Sequence, residues 1–294
     1  MKTYLDCLPC FFRQALGAAR AATDDERIQR QVMDTVAEMI PAFPLDITPP
    51  EIAQQVYRAV YRITKNDDPY REAKKQSNEK ALALYPHLKE IVASSDDPLL
   101  TACKLAIAGN SIDLGPQVDQ VDLDSAIEST LHSPLAYDDY AEFKLEIGKA
   151  KNILYLLDNA GEIVFDKMLI ENIYSLNVKA KVTCVVRGKP IINDATMEDA
   201  EKIGLNGVVS VISNGSDAPA TILAQCAPQV RQLYDSADMI IAKGQGNYES
   251  LSDEAANIFF FLRAKCPVVA VPLKVRVGDA ILKKGQMKHM IVPN

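Results

Sequence analysis

Across its 294 residues the chain has no run approaching the ~18 apolar positions of a membrane span. Near the N-terminus Asp6 stands where the apolar stretch of a secretory signal would run, so an intracellular, cytoplasmic protein is expected. Six cysteines are too few for a disulfide framework and fit reduced thiols. Three histidines, His87, His132 and His289, share no ligand spacing and carry no catalytic expectation. Basic excess is missing too. Lys+Arg 32 against Asp+Glu 39 gives −7, which argues against a general nucleic-acid binder, whose phosphate contacts need a basic face. There is no internal repeat and no low-complexity linker. What remains is ordinary: 48% hydrophobic and 24% charged residues, enough to fill a core in one or two domains.

The first half reads as helices. Thr23-Asp24-Asp25-Glu26 and Thr48-Pro49-Pro50-Glu51 fit capping boxes, the second with proline at the first helical position. Ile28, Val32, Val36 and Met39, then Ile52, Val56, Val60 and Ile63, recur at helical spacing. Further helices are predicted over 68–84, 98–108, 125–131 and 138–149, with no strand before residue 150. The second half changes character. Apolar runs at 153–157, 182–186, 208–212, 239–242 and 268–273 alternate with helix-length segments at 163–176, 195–203, 220–234 and 250–265. Short apolar strands alternating with helices predict a mainly parallel sheet covered on both faces. The expectation is a helical domain over 1–148 followed by a Rossmann-like three-layer α/β/α domain over 149–294.

Open parallel sheets bind ligands beyond the carboxyl ends of their strands. Asp158-Asn159-Ala160-Gly161-Glu162 follows the first predicted strand, and Arg187-Gly188-Lys189-Pro190 through Asn193-Asp194 follows the second. Ser213-Asn214-Gly215-Ser216-Asp217, Lys243-Gly244-Gln245-Gly246-Asn247 and Lys274-Val275-Arg276 follow the next three. Hard oxygen ligands beside lysines and arginines suit a Mg²⁺ or Mn²⁺ ion with phosphate held by cations and helix N-termini, which points to phosphoryl chemistry. The same polar loops also fit turns and caps of any doubly wound domain.

These motifs, together with Cys7-Leu8-Pro9-Cys10, Asp68-Pro69-Tyr70 leading to Lys74 and Asn78, and Gly109-Asn110-Ser111-Ile112-Asp113, resemble in order the metal-dependent damage-control phosphatase family, in its stand-alone prokaryotic branch. The resemblance implies a divalent cation (Mn²⁺, Mg²⁺, Co²⁺ or Ni²⁺) held by Asp158, Asn159 and Asp194. It implies that Glu162, the loop carrying Lys243, Gly244 and Asn247, and Lys274 face a small phosphorylated metabolite, with Asn110 reaching the site or capping a helix. One branch has been described as a carboxyl methyltransferase. An S-adenosylmethionine-dependent enzyme is therefore an alternative, though the turn after the first strand lacks the glycine-rich pattern. A non-catalytic metabolite-binding protein is a third reading.

Three motifs stay open on the residues alone. Cys7-x-x-Cys10 fits packing, half a zinc site or a redox pair. The charged run 71–80 reads most simply as a solvated helix face. Tyr57 and Tyr61, beside Val56 and Val60, read as packing.

Overall fold

The computed structural model describes residues 1–109 and 120–286. Helices α1 (Cys7–Ala22), α2 (Glu26–Met39) and α3 (Pro49–Thr64) come first. They pack through Phe11, Ala15, Val32, Val36, Val56 and Val60, joined by Ile191 from the second half. The box at Thr48 forms as expected, with the Thr48 amide donating to the Glu51 carboxylate at 2.8 Å. The box at Thr23 does not. Its hydroxyl accepts the Asp25 amide in a local turn, and Asp25 caps α2 by accepting the Arg27 amide.

Next come α4 (Arg71–Ser94), α5 (Pro98–Ala108), α6 (Gln120–His132), a short strand β1 (Tyr137–Asp138) and α7 (Tyr140–Lys149). The remainder alternates: β2 (Asn152–Leu156), α8 (Glu162–Leu176), β3 (Lys181–Val186), α9 (Met197–Lys202), β4 (Ser210–Ser213), α10 (Pro228–Ser236), β5 (Met239–Lys243), α11 (Gly244–Leu251), β6 (Ile258–Arg263), α12 (Pro267–Leu273) and β7 (Ala280–Lys284). Among the described residues one seven-stranded sheet forms, in the order β1-β7-β6-β5-β2-β3-β4. Every neighbouring pair is parallel except β6 and β7.

Successive strand residues point to opposite faces, and here both faces are covered. Ile153, Tyr155, Ile241, Phe259 and Phe261 share one core with Leu84 and Leu88 of α4, Leu105 of α5, and Phe165 and Leu169 of α8. Leu154, Leu156, Ile240, Phe260 and Leu262 meet Val230, Leu251 and Val269 on the other face. Thus α4 and α5 share the sheet's own core, while α1–α3 have a separate one. No helix among the described residues is long and apolar enough to cross a membrane.

Several expected elements change identity. The run 268–273 is not a strand but α12. Pro267 takes the first helical position, and Val269, Ala270 and Leu273 are buried while Val271 is exposed, a helical and not an alternating pattern. The segment 250–265 holds the strand β6 instead of a helix, because Ile258-Phe259-Phe260-Phe261-Leu262 is β-branched and aromatic and is buried on both faces. In segment 220–234 a 3-10 turn at Leu223–Gln225 comes first, and the α-helix starts only at Pro228. β1 precedes residue 150, where no strand was expected; its two residues pair with Ile281 and Leu282.

Candidate active site

β2 leads to β3 and β4 on one side of the sheet, whereas β5 leads to β6 on the other, so the order reverses between β2 and β5. The loops leaving these two strands must diverge, which opens a crevice at their carboxyl ends. Asp158 and Asn159 follow β2, and Gly161 (φ 79°) turns the chain into α8. The loop after β3 is laced to this turn. The Ala195 amide donates to the Asp158 carbonyl at 2.7 Å, the Ala160 amide donates to the Asn193 carbonyl at 2.9 Å, and Asn159 faces Asp194 in a single bridge. Backbone pairing therefore brings Asp158, Asn159 and Asp194 together. Gly244 opens α11 with φ 81°, and any Cβ there would collide with the Asp158 carboxylate. Only glycine fits both the angle and the space.

Around Asp158 negative charge dominates. Asn159 Nδ2 donates to Asp158 Oδ2 at 3.0 Å and to Glu162 Oε2 at 3.1 Å. Arg187, 1% exposed, donates from Nε to Asp194 Oδ2 at 2.6 Å. Its Nη2 stands 3.7 Å from Asp158 Oδ1 and makes no hydrogen bond. The Ala220 amide, from a residue at φ 65°, donates to Asp194 Oδ2 at 3.3 Å. Burial, then the carboxylates of Asp194 and Glu162, push the Asp158 carboxyl up to about 8. Lys265 and Arg187 oppose that shift without cancelling it.

Behind this cluster lies a second one, fully enclosed. Lys243, 0% exposed, donates to Glu162 Oε1 and Asp166 Oδ1, each at 2.6 Å, and to the Ala106 carbonyl at 2.9 Å. Tyr155 donates its hydroxyl to Asp166 Oδ1 at 2.7 Å. Burial disfavours the Lys243 ammonium, but Asp166 and Glu162 outweigh it and raise its pKa. An ammonium whose protons are all spent inside the protein cannot face a substrate phosphate, so the role the resemblance implies for Lys243 does not match its surroundings. Asn247, also 0% exposed, donates to the Lys243 carbonyl at 2.7 Å and reaches the Leu156 and Leu157 carbonyls, tying the ends of β5 and β2 together.

The remaining expected residues separate. Lys274 follows α12 at φ 57° and lines another cavity of about 450 Å³ with Tyr4, Tyr137 and Tyr248, none of which belongs to the cluster around Asp158. The cation beside Asp158 is instead Lys265, an exposed side chain two residues past β6, whose amide donates to Gln245 Oε1 at 2.7 Å. Asn110 lies outside the described residues, as does Asp113.

Helix α4 contributes more than the sequence suggested. Lys74 and Asn78 are 4% and 2% exposed, so the run 71–80 is not simply a solvated face. Asn78 donates to Asp199 Oδ1 at 2.9 Å and accepts the Gly161 amide at 2.7 Å, holding the turn that carries Asp158. Lys74 pairs with Asp68 at 3.2 Å and lies 3.9 Å from Asp199. Spacing of four along a helix placed these two residues on one face, but only the fold shows that the face points inward. Tyr57 is buried as expected, while Tyr61 also accepts the Ile192 amide at 3.3 Å beside the Asp194 loop.

Among the described residues no group of three or more His, Cys, Asp or Glu side chains is arranged to hold a metal ion. Asp158 and Asp194 with the Asn159 amide form a smaller, all-oxygen set of the kind hard divalent cations accept when water or substrate completes the shell. The excess of buried carboxylate fits such a cation.

Residues 3–281 match the family described as the damage-control phosphatase ARMT1-like domain. The chain is 37% identical to damage-control phosphatase PH1575 of Pyrococcus horikoshii over 98% of this chain and 100% of that protein. It is 37% identical to a damage-control phosphatase of Archaeoglobus fulgidus over 94% of this chain and 97% of that one. The crystal structure of PH1575, a DUF89 family protein, superposes with a TM-score of 0.91 at 36% identity, covering 97% of this chain and 100% of that one.

Proposed function

The chain belongs to the damage-control phosphatase ARMT1-like family, and from that premise we propose that it is a phosphatase hydrolysing phosphate monoesters of small metabolites with the aid of a divalent metal ion. The observation that carries the reading is the convergence of the buried Asp158 and Asp194 carboxylates with the Asn159 amide at the strand-order reversal, beside the turn at Gly244. Near-full-length likeness to two proteins named damage-control phosphatases supports the reaction class.

In this reading Asp158, Asn159 and Asp194 hold the metal, whose chemistry is to polarise phosphoryl oxygens and acidify a bound water. The chain's own residues do the rest. Arg187 fixes the rotamer of Asp194 through its Nε, leaving Nη2 as a donor aimed toward Asp158. Asn159 holds Asp158 and Glu162 at fixed separation with both protons of its amide nitrogen. Lys265, exposed at the rim beside Asp158, supplies a cation that offsets phosphate charge. Glu162, anchored from behind by Lys243, forms the wall between the front cluster and the core. The S-adenosylmethionine alternative has no comparable support, since the turn at 158–162 holds one glycine and that glycine is bound to Asn78.

A chromogenic phosphate ester assayed with Mn²⁺, Co²⁺, Ni²⁺ or Mg²⁺ should show turnover that a chelator abolishes. Asp158→Ala and Asp194→Ala should each abolish it while retaining the wild-type circular dichroism spectrum. Full turnover in chelator would remove the metal from the reading, and no turnover on any of a panel of sugar and cofactor-derived phosphates would favour a binding protein.

A further inference from the structure

The polar segment after β4, which ends at Asp217, opens a compact loop whose two ends meet. The Ala227 amide donates to the Asn214 carbonyl at 2.8 Å and closes it. Asn214 Oδ1 accepts the Ser216 and Gly188 amides, each at 2.9 Å, which seats the loop on the turn after β3. Within it Ala218, Ala220 and Thr221 are buried. The Ala220 amide donates to Asp194 Oδ2 at 3.3 Å, and the Thr221 hydroxyl accepts Arg187 Nη1 at 3.4 Å. The loop thus touches both the Asp194 carboxylate and the guanidinium that orients it.

Helix α3, whose own core is separate from the sheet's, grips this loop on both sides of Ala220. Gln54 and Arg58, four apart, share one helix face. Arg58 donates from Nε to Asp217 Oδ2 at 2.7 Å and from Nη2 to Asp217 Oδ1 at 2.6 Å. Gln54, 3% exposed, donates to Asp217 Oδ1 at 2.6 Å and to Gln225 Oε1 at 2.7 Å. Gln225 Nε2 donates back to Gln54 Oε1 at 3.1 Å. Between these anchors Ala220 stands at φ 65°, in the left-handed region where a Cβ is crowded and only glycine sits freely. A Cβ on residue 246 would lie 3.0 Å from its methyl carbon, so Gly246 leaves the room that methyl occupies. Residues held in such sparsely populated backbone regions persist only where their surroundings over-determine them.

We propose that Asp217 is a positioning residue: clamped by Arg58 and Gln54, it keeps Ala220 left-handed, so that the Ala220 amide and, through Arg187, the Thr221 hydroxyl hold Asp194 ready for a divalent cation. This role rests on the reading of Asp194 as a metal ligand and gives the leading helices a part in that site. The competing role for Asp217 is plain docking of α3 onto the sheet. The Arg58 side chain is 58% exposed, and an ion pair so open to water stabilises only weakly. Hydrogen bonds from Arg58 hold the Asp217 carboxyl below its usual range, so the clamp is charged at neutral pH. The two roles part at residue 220. Docking is indifferent to the backbone angle there, whereas positioning depends on it.

The test measures Mn²⁺ affinity of the full chain by isothermal titration calorimetry, with no substrate present. Asp217→Ala should weaken binding about tenfold, the low end of what losing a partner behind a metal ligand costs. Arg58→Ala, a change at an exposed position, should weaken it severalfold. Adding Ala220→Gly to either variant should recover most of the lost affinity, because glycine keeps the amide and takes a positive φ without a clamp. Should Asp217→Ala fail to fold, the Arg58→Ala pair decides by the same comparison. Unchanged affinity in the clamp variants, or a loss that Ala220→Gly does not recover, would overturn the positioning role and leave the metal site standing. Wild-type protein that binds no Mn²⁺ would instead sink the metal reading, and the positioning role with it.

Discussion

Two buried charge clusters lie back to back at the carboxyl ends of β2 and β5, and they differ in one respect. In the rear cluster Lys243 meets Glu162, Asp166 and a backbone carbonyl at hydrogen-bonding distance, with Tyr155 closing the set. In the front cluster Asp158 and Asp194 share one guanidinium that bonds to only the second of them, and the Asp158 carboxyl is driven up to about 8, first by burial and then by its acidic neighbours. In the rear set the one cation bonds to both carboxylates, which makes it scaffold, although Asp166 Oδ2 has no partner. The larger upward shift, at Asp158 rather than at Asp166, marks where a ligand of positive charge gains the most. Both arise from the same sequence signature, a charged residue at a strand's carboxyl end, so signature alone does not separate them.

The largest test of this contrast is Lys243→Met. Removing one partner of a fully buried ionic set costs about 3–5 kcal/mol, so urea denaturation should shift strongly toward lower concentrations. A variant of wild-type stability with weakened substrate affinity alone would place Lys243 in the front cluster after all. Gly244→Ala comes next. Its Cβ must displace the Asp158 carboxylate, and misplacement of about 1 Å at a reacting centre can cost roughly a hundredfold. Metal-dependent turnover should fall by that order while most of the fold survives, as checked by steady-state kinetics alongside circular dichroism.

Smaller effects separate the two candidate lysines. Lys265→Ala removes the cation beside Asp158, and losing a charge-assisted contact of about 1.5–3 kcal/mol should cut kcat/KM roughly ten- to a hundredfold. Lys274→Ala should leave it within about twofold. The reverse result would restore the residue read from sequence.

The gentlest signature is in pH. Asp158 has a raised folded-state value of about 8 against an ordinary 3.8. Between those values the metal-free folded protein keeps a proton that the unfolded chain has lost. Its stability is therefore full below about pH 4, declines as pH rises toward 8 and levels beyond. A bound cation displaces that proton, so the rise in Tm on adding Mn²⁺ should grow across the same window. Asp158→Asn should flatten the metal-free slope. A Tm that is independent of pH between 5 and 8 in wild type would mean that Asp158 is ionised throughout.

The legible part of the molecule was whatever local pattern determines. Apolar runs marked β2, β3 and β5, and the polar loops after β2 and β3 carried Asp158, Asn159 and Asp194 to one edge. Two stretches misled because a short apolar run reads equally as strand or buried helix. The run 258–262 and the run 268–273 exchanged identities, and that single exchange moved the expected rim lysine from 265 to 274. Arg187 stood in plain sight within its loop, but nothing in the residue order says that a guanidinium turns inward to a carboxylate seven positions on. The inward turn of Lys74 and Asn78 was hidden for the same reason, since their partner Asp199 lies more than a hundred residues away.

The edge strand at Tyr137–Asp138 binds the early chain to its far end, where Ala136 and Asp139 donate to the carbonyls of Ala280 and Leu282. With α4 and α5 already seated on the sheet, the molecule is assembled more like a woven cloth than a pair of joined blocks. Genetic exchange that replaced only its leading helices would also have to supply a matching selvedge for β7. Descent in this lineage should therefore favour inheritance of the chain as one piece.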